Sequence, residues 1–472
     1  MRFLNRVSEL ERLDGLVARG SGFAAVYGRR RIGKTRLLVE WCQRHGGVYT
    51  VADQSAPEVQ RRYFAEAIAT RLPGFDDVTY RDWRVLLSRL SREARIAGWR
   101  GPLVLDELPY LVLASRDLPA ILQRWVDHEC DALVVVAAGS SQHMMQGLVL
   151  AGDAPLYGRA REILEVHPLS PRHLPEALGA ADRALALDSY AAWGGVPRYW
   201  ELAAEIPGTI ERRVDRLVLD PLGPLHHEPD RLIIEELPPA TEVRPLLDAI
   251  GGGAHRVSEI AGRLGRAATS LSRPLQRLQG MGLVRREVPF GDDERANKRS
   301  LYKIADPFTR LWFRVVAPYR AQLATASPEG RRLLFRARLP TLRGECWEEL
   351  CRLLLPTLDP ATPLGALGPW GPASRWWRGQ DPEWDLVALS LDGRRLLLGE
   401  AKLRVPSIAG ALRSLEARTP PELPAALRGI PVVRALFVAE PGKEEVATGS
   451  ALVVTAGGLL QEGDPLDLTA QR

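Results

Sequence analysis

Eight residues, Gly28-Arg29-Arg30-Arg31-Ile32-Gly33-Lys34-Thr35, constrain the N-terminal part of this chain more than any other feature. An apolar run, Phe23–Tyr27, precedes them, and Leu37, Leu38 and Trp41 follow at helical spacing. That order predicts a buried strand, a glycine-rich loop and an amphipathic helix. The octet fits GxxxxGK[ST]. Glycines let the backbone curl until successive N–H groups face phosphate oxygens, and the helix N-terminus adds partial positive charge. Gly28, Arg29, Arg30, Arg31, Ile32 and Gly33 are therefore expected to cradle the phosphates of ATP. Lys34 is expected to reach the β- and γ-phosphates, and the Thr35 hydroxyl to ligate Mg²⁺. The bland alternative is a glycine-rich strand-to-helix turn. Of 63 basic residues only five are lysines, Lys34, Lys298, Lys303, Lys402 and Lys443, so a chance match to the motif is rare.

A phosphate loop needs an acid at the end of another strand. "PLVLDELPYL" supplies Leu103–Leu105 as strand, then Asp106 and Glu107. Asp106 is expected to hold Mg²⁺ through water, and Glu107 to polarise the attacking water. The alternative is a strand that ends in two solvated acids. A further apolar run, "ALVVVAAGSS", ends at Ser140 and Ser141, and Ser140 is placed to sense the γ-phosphate. Buried runs alternate with helical ones, as in a parallel α/β sheet.

"FLNRVSELERL", the phosphate loop, "LVLDE", "AAGSS", "APLYGRA" and "GGVPRYW" follow one another in this order. In these motifs the first 235 or so residues resemble archaeal-type AAA ATPases, which are related to the STAND signalling NTPases. The resemblance implies an AAA-type ATPase over 1–235, with a core at 1–169 and a helical lid at 170–235. It also implies that Arg159 approaches the nucleotide as a sensor or arginine finger; a surface arginine in a loop is the alternative.

Val243 to Phe290 reads as three short helices and the start of a ribbon. Leu246, Leu247 and Ile250 stripe the first helix, Val257, Ile260, Ala261 and Leu264 the second, and Leu271, Leu275 and Leu278 the third. "GLVRREV" and "SLYKIAD" supply two strands with "GDDERANKR" between them, the pattern of a winged helix over 240–310. From Val243 to Lys303 there are twelve Lys/Arg against six Asp/Glu, a net of +6, which exceeds the whole-chain excess of +5. Arg273, Arg277, Arg285, Arg286, Lys298 and Arg299 are the candidates for DNA phosphate contact. Docking a protein is the other use of such a module. Pro274 falls in the third helix and is tolerable only in its first turn.

In "EWDLVALSLDGRRLLLGEAKL" the Asp392-Gly393 pair between alternating apolar runs signals a hairpin. A two-residue loop pairs residues whose numbers sum to 785: Leu389 with Leu396, Val387 with Leu398, and Asp385 with Glu400. Opposed like charges destabilise a sheet, so a cation is expected nearby. Lys402 lies two residues on, on the Glu400 face. Asp385 and Glu400 are thus candidates for a divalent metal, with Lys402 orienting water or neutralising charge. Asp385 followed by Glu400-Ala401-Lys402 resembles the PD-(D/E)xK nuclease superfamily, and also the C-terminal nuclease-like domain of the same ATPase family. That resemblance, over about 331–455, implies that Glu348 of "RGECWEELCRLLL" completes the site. No proline immediately precedes Asp385, a departure from the superfamily's pattern. A surface salt-bridge cluster, or a nuclease fold whose catalysis has decayed, is the alternative.

The expected whole is an α/β chain: a P-loop parallel sheet of AAA type with a helical lid, a winged helix, and a nuclease-like domain at 330–460. ATP and Mg²⁺ are its expected cofactors and DNA its expected partner. A protein partner and self-association are left open. The N-terminus lacks the apolar core of a signal peptide and no apolar run is long enough to span a bilayer, so a cytoplasmic location is expected.

Overall fold

The computed structural model describes residues 3–140, 142–178, 183–237, 240–293, 299–379, 381–441 and 451–460. The chain divides into two compact units. The first comprises Met1–Leu169 with Val196–Arg198, and the second comprises Ser170–Gly195 with Tyr199–Arg472.

The first unit is an α/β layer structure. Its strands are β1 (Gly22–Tyr27), β2 (Val48–Val51), β3 (Leu103–Asp106), β4 (Val134–Gly139) and β5 (Ala160–Glu165), in the order β2-β3-β4-β1-β5. All their pairings are parallel. Parallel strands need crossovers, so helices cover the sheet and the central strands read as unbroken apolar runs. β3 and β4 are buried along their whole length. The helix Trp83–Ala97 shows how the sequence produces one such cover. Trp83, Leu86, Leu87, Leu90, Ser91 and Ala94 fall on its buried side, Asp82 caps its start by accepting from the Val85 N–H, and Gly98 ends it at φ 65°. Its buried Ser91 hydroxyl accepts from the Trp125 indole at 2.7 Å.

This strand order builds the site. β4 lies between β1 and β3, so the C-terminal ends of all three emerge side by side. The phosphate loop, Ser140 and the Asp106–Glu107 pair meet there although they are far apart in sequence.

In the second unit the helices Ala240–Gly251, Val257–Leu264 and Ser272–Gly280 precede a two-stranded antiparallel ribbon of β6 (Val284–Glu287) and β7 (Leu301–Ile304). Pro274 is the third residue of its helix, inside the first turn, where no intrahelical N–H is forfeited. A five-stranded sheet follows, made of β8 (Ser374–Trp376), β9 (Trp384–Leu389), β10 (Leu396–Lys402), β11 (Val432–Val438) and β12 (Leu452–Thr455), in the order β12-β11-β10-β9-β8. β8, β9 and β10 are antiparallel neighbours, and β10, β11 and β12 run parallel. Leu389 pairs with Leu396 and Val387 with Leu398, the register that the Asp-Gly turn implies. One face packs Val387, Leu396, Leu398, Leu436 and Val438 against Ile408, Leu412 and Leu415 of the helix Ile408–Ala417. The helix Leu339–Leu354 also packs on β9 and β10.

Buried charge ties the ribbon to this helix. Glu349 accepts from Arg285 of β6 and, at 2.6 Å, from Arg310. Glu287 meets Arg285 at 2.9 Å and Lys303 of β7 at 3.4 Å. The Phe290 N–H donates to the Arg375 carbonyl at 2.8 Å, which continues the attachment into β8. Among the described residues no helix is long and apolar enough to cross a membrane.

Candidate functional site

The loop leaving β1 is shaped by two glycines. Gly28 sits at φ 149°, and a Cβ there would lie 2.5 Å from the Val166 carbonyl oxygen; Gly33 sits at φ 98°. Both positions exclude other residues on conformational grounds. Gly33 caps the helix Lys34–His45 without a side-chain bond, so first-turn N–H groups stay available to an anion. The Lys34 ammonium folds back over the loop and donates to the carbonyls of Gly28 at 2.6 Å and Arg29 at 3.2 Å. Arg30 donates to the Tyr110 hydroxyl at 2.8 Å. The loop is also braced from outside. Arg6, buried at φ 71°, donates to the Ile32 carbonyl at 2.8 Å and to Glu9 at 2.8 Å.

Asp106 is 1% exposed and receives three donors. They are the Thr35 hydroxyl at 3.0 Å, the Tyr49 hydroxyl at 2.5 Å and the Glu107 N–H at 2.9 Å. Thr35 and Asp106 thus bring a hydroxyl and a carboxylate oxygen together. These are the hard oxygen donors that suit Mg²⁺, an ion that keeps several of its waters. Tyr49 escaped the sequence reading because an aromatic residue in a strand reads as core. Burial first, and then the Asp106 charge, push its phenol well above its ordinary pKa, so it stays a donor.

Glu107 takes left-handed backbone angles, φ 54° and ψ 40°, a conformation that costs a non-glycine residue on the order of 1–3 kcal/mol. Its carboxylate is held by the Ser140 N–H at 3.2 Å and by the Ser140 hydroxyl. In this state the acid that would polarise water is tied to the residue that would sense the γ-phosphate. Arg159 forks onto Asp127 at 2.8 and 2.9 Å, and Asp127 raises its pKa. Its guanidinium is therefore held by a carboxylate, a partner that sequence spacing does not reveal. Ser141 lies outside the described residues.

At the other strand end, Asp385, Glu400 and Lys402 come together. The β9–β10 ladder stops at the Leu386–Gly399 pair, and Asp385 Oδ2 reaches across to accept from the Ala401 N–H at 3.0 Å. Lys402 Nζ lies 2.8 Å from Glu400 Oε1, and Arg418 lies 3.6 Å from the other oxygen. Burial works against the lysine's charge, but the Glu400 hydrogen bond wins and raises its pKa. Glu348 sits beside this pair. Burial first, and then the Asp385 charge, push its carboxyl up. Arg352 donates to the Asp385 carbonyl at 2.9 Å and lies 3.9 Å from Glu348. Among the described residues no three His, Cys, Asp or Glu are grouped closely enough to hold a metal.

The expected phosphate contacts separate into two sets. Arg273 is exposed and Arg277 half-buried on the third helix. Arg285 is a correction: its guanidinium is held by Glu287 and Glu349 rather than offered to a ligand. Arg286 donates to the Ser300 hydroxyl at 2.8 Å, and Arg299 pairs with Asp292 at 2.6 Å. Lys298 lies outside the described residues.

Residues 3–180 match a family described as an ATPase domain predominantly from Archaea. Residues 312–413 match a family of archaeal and bacterial proteins of unknown function. An uncharacterized protein of Methanocaldococcus jannaschii is 26% identical over 409 residues, which cover 85% of this chain and 87% of that one. Among solved structures, a Walker-type ATPase of Pyrococcus abyssi is similar at 18% identity and TM-score 0.49, covering 66% of this chain and 96% of that one. The ORC2 protein of Aeropyrum pernix is similar at 15% identity and TM-score 0.43, covering 71% and 95%. With the family match lying over the glycine loop, Lys34, Thr35 and the buried Asp106, the chain is an ATPase.

Proposed function

We propose that the chain is an ATP-driven switch whose nucleotide state governs nucleic-acid binding by the second unit. The observation that carries this reading is the Glu107–Ser140 contact. It ties the water-polarising acid to the neighbouring strand end, so a γ-phosphate arriving at Ser140 changes what Glu107 touches. Lys34 and the loop amides hold the phosphates, Thr35 and Asp106 hold Mg²⁺, and Tyr49 fixes the Asp106 carboxylate. Mg²⁺, when bound, neutralises charge on the β- and γ-phosphates.

On this reading the helices 240–280 and their ribbon act as a winged helix. The helix Ser272–Gly280 meets DNA through Arg273 and Arg277, while the ribbon is anchored through Arg285 to Glu349. The C-terminal sheet acts as a non-cleaving body. Its acids are met from within the chain, Glu400 by Lys402 and Asp385 by the Ala401 N–H. Metal-dependent cleavage by Asp385, Glu400, Glu348 and Lys402 is the second reading, favoured by the shared strand end of the first two.

Fluorescence anisotropy of labelled duplex DNA tests the switch. Affinity is expected to differ by about 5-fold or more between ATP and ADP, the usual range of coupled sites. Lys34→Ala should remove the difference, and Arg273→Glu should weaken binding in both states. Equal affinity in ATP and ADP would sink the proposal.

A further inference from the structure

A cleft of about 730 Å³ opens within the second unit, a size typical of small-ligand sites. The helix Ala240–Gly251, the segment 313–320 and the start of the helix Leu339–Leu354 line it. Four arginines line it, Arg244, Arg314, Arg320 and Arg338, with two acids, Asp248 and Glu345. Those acids are already engaged: Asp248 meets Arg244 at 3.0 Å and Glu345 meets Arg314 at 2.8 Å. Arg320 shares Asp230 with Arg244. Arg338 is exposed and donates to a neutral group, the Tyr319 hydroxyl, at 2.5 Å.

Among the described residues Arg338 is the one arginine of the cleft that meets no carboxylate. The 16-residue helix Leu339–Leu354 begins at the cleft. Arg338 is its N-cap and makes no side-chain capping bond, and Thr341 of the first turn lines the same cleft. Its first-turn amides add partial positive charge to that of the arginines.

We propose that this cleft binds a phosphorylated small molecule of nucleotide size, at a site separate from the phosphate loop. Guanidinium groups match phosphate oxygens in paired hydrogen bonds. A tetrahedral phosphate presents acceptors in several directions, which suits donors that come from more than one wall.

Titration calorimetry with inorganic pyrophosphate tests this on the full chain carrying Lys34→Ala, which weakens the phosphate loop. AMP and a sugar phosphate are then titrated to separate the sources of the phosphate. One salt-sensitive site is expected. Adding Arg338→Glu or Thr341→Glu should lower its affinity at least 10-fold, and adding Arg266→Glu, outside the cleft lining, should leave it unchanged. Thr341→Glu places an acid in the first turn, where it favours the helix, so a loss of binding there is not a loss of fold. Binding that is absent in Lys34→Ala protein, or unchanged by Arg338→Glu and Thr341→Glu, would overturn the proposal. So would a dependence on these residues seen for DNA alone.

Discussion

Two strand ends in this molecule each pair acids with one of the five lysines, and they use them differently. At the ends of β1, β3 and β4, Lys34 donates to loop carbonyls, while Asp106 takes its bonds from two hydroxyls and an amide. All of these are neutral partners that an incoming phosphate or cation can displace or join. At the ends of β9 and β10, Lys402 is spent on Glu400, and one Asp385 oxygen replaces a ladder hydrogen bond. On the proposed reading the first arrangement receives a ligand. The second largely satisfies itself. Similar residue types at a strand end therefore do not define similar chemistry; the partners decide it.

The largest effect is expected at Glu107. Glu107→Gln should keep nucleotide binding and lower ATP turnover by roughly 10²–10⁴-fold, the contribution usual for general acid–base catalysis. Steady-state phosphate release beside equilibrium ADP binding measures both. A variant that turns over normally would remove Glu107 from the reaction.

Glu349→Gln should destabilise the second unit by up to about 3–5 kcal/mol, because Arg285 and Arg310 lose the buried carboxylate they share and keep only Glu287 at 2.9 Å and Glu345 at 3.6 Å. Urea unfolding reads this directly. Burial opposes the Glu349 charge, but the two arginines hold its pKa at about 2, below the ordinary 4.5. A depressed carboxylate stabilises the fold above its unfolded pKa. The wild type should therefore lose stability as pH falls from about 4.5 towards 2, and Glu349→Gln should flatten that dependence.

Tyr49→Phe removes one donor to the Asp106 carboxylate, an interaction worth about 1.5–3 kcal/mol for a charged partner. The Mg²⁺ concentration needed for half-maximal nucleotide binding should shift, while binding without Mg²⁺ stays as it was. Lys402→Ala sits at the small end. Its ammonium is half exposed, so stability should change by under about 1 kcal/mol. A much larger loss would show that the C-terminal cluster holds the sheet together.

Legibility followed sequence distance. The glycine loop and the Asp392-Gly393 turn were readable because their geometry is set by neighbours along the chain. The same holds for the β9–β10 register, which the turn and the alternation together imply. Arg285 was read as a candidate phosphate contact because one of its two carboxylate partners, Glu349, lies 64 residues away. Tyr49 and Asp127 were missed for the same reason: each acts on a residue brought near by the fold. Nothing in the local pattern marks them.

One preparation assayed twice, for ATP hydrolysis and for cleavage of plasmid and single-stranded DNA with Mg²⁺ or Mn²⁺, gives the most direct test. ATP hydrolysis is expected, and the DNA is expected to stay intact whether or not ATP is present. Cleavage by the wild type that disappears in both Asp385→Ala and Lys402→Ala would contradict that expectation and make the C-terminal strand end a working nuclease site.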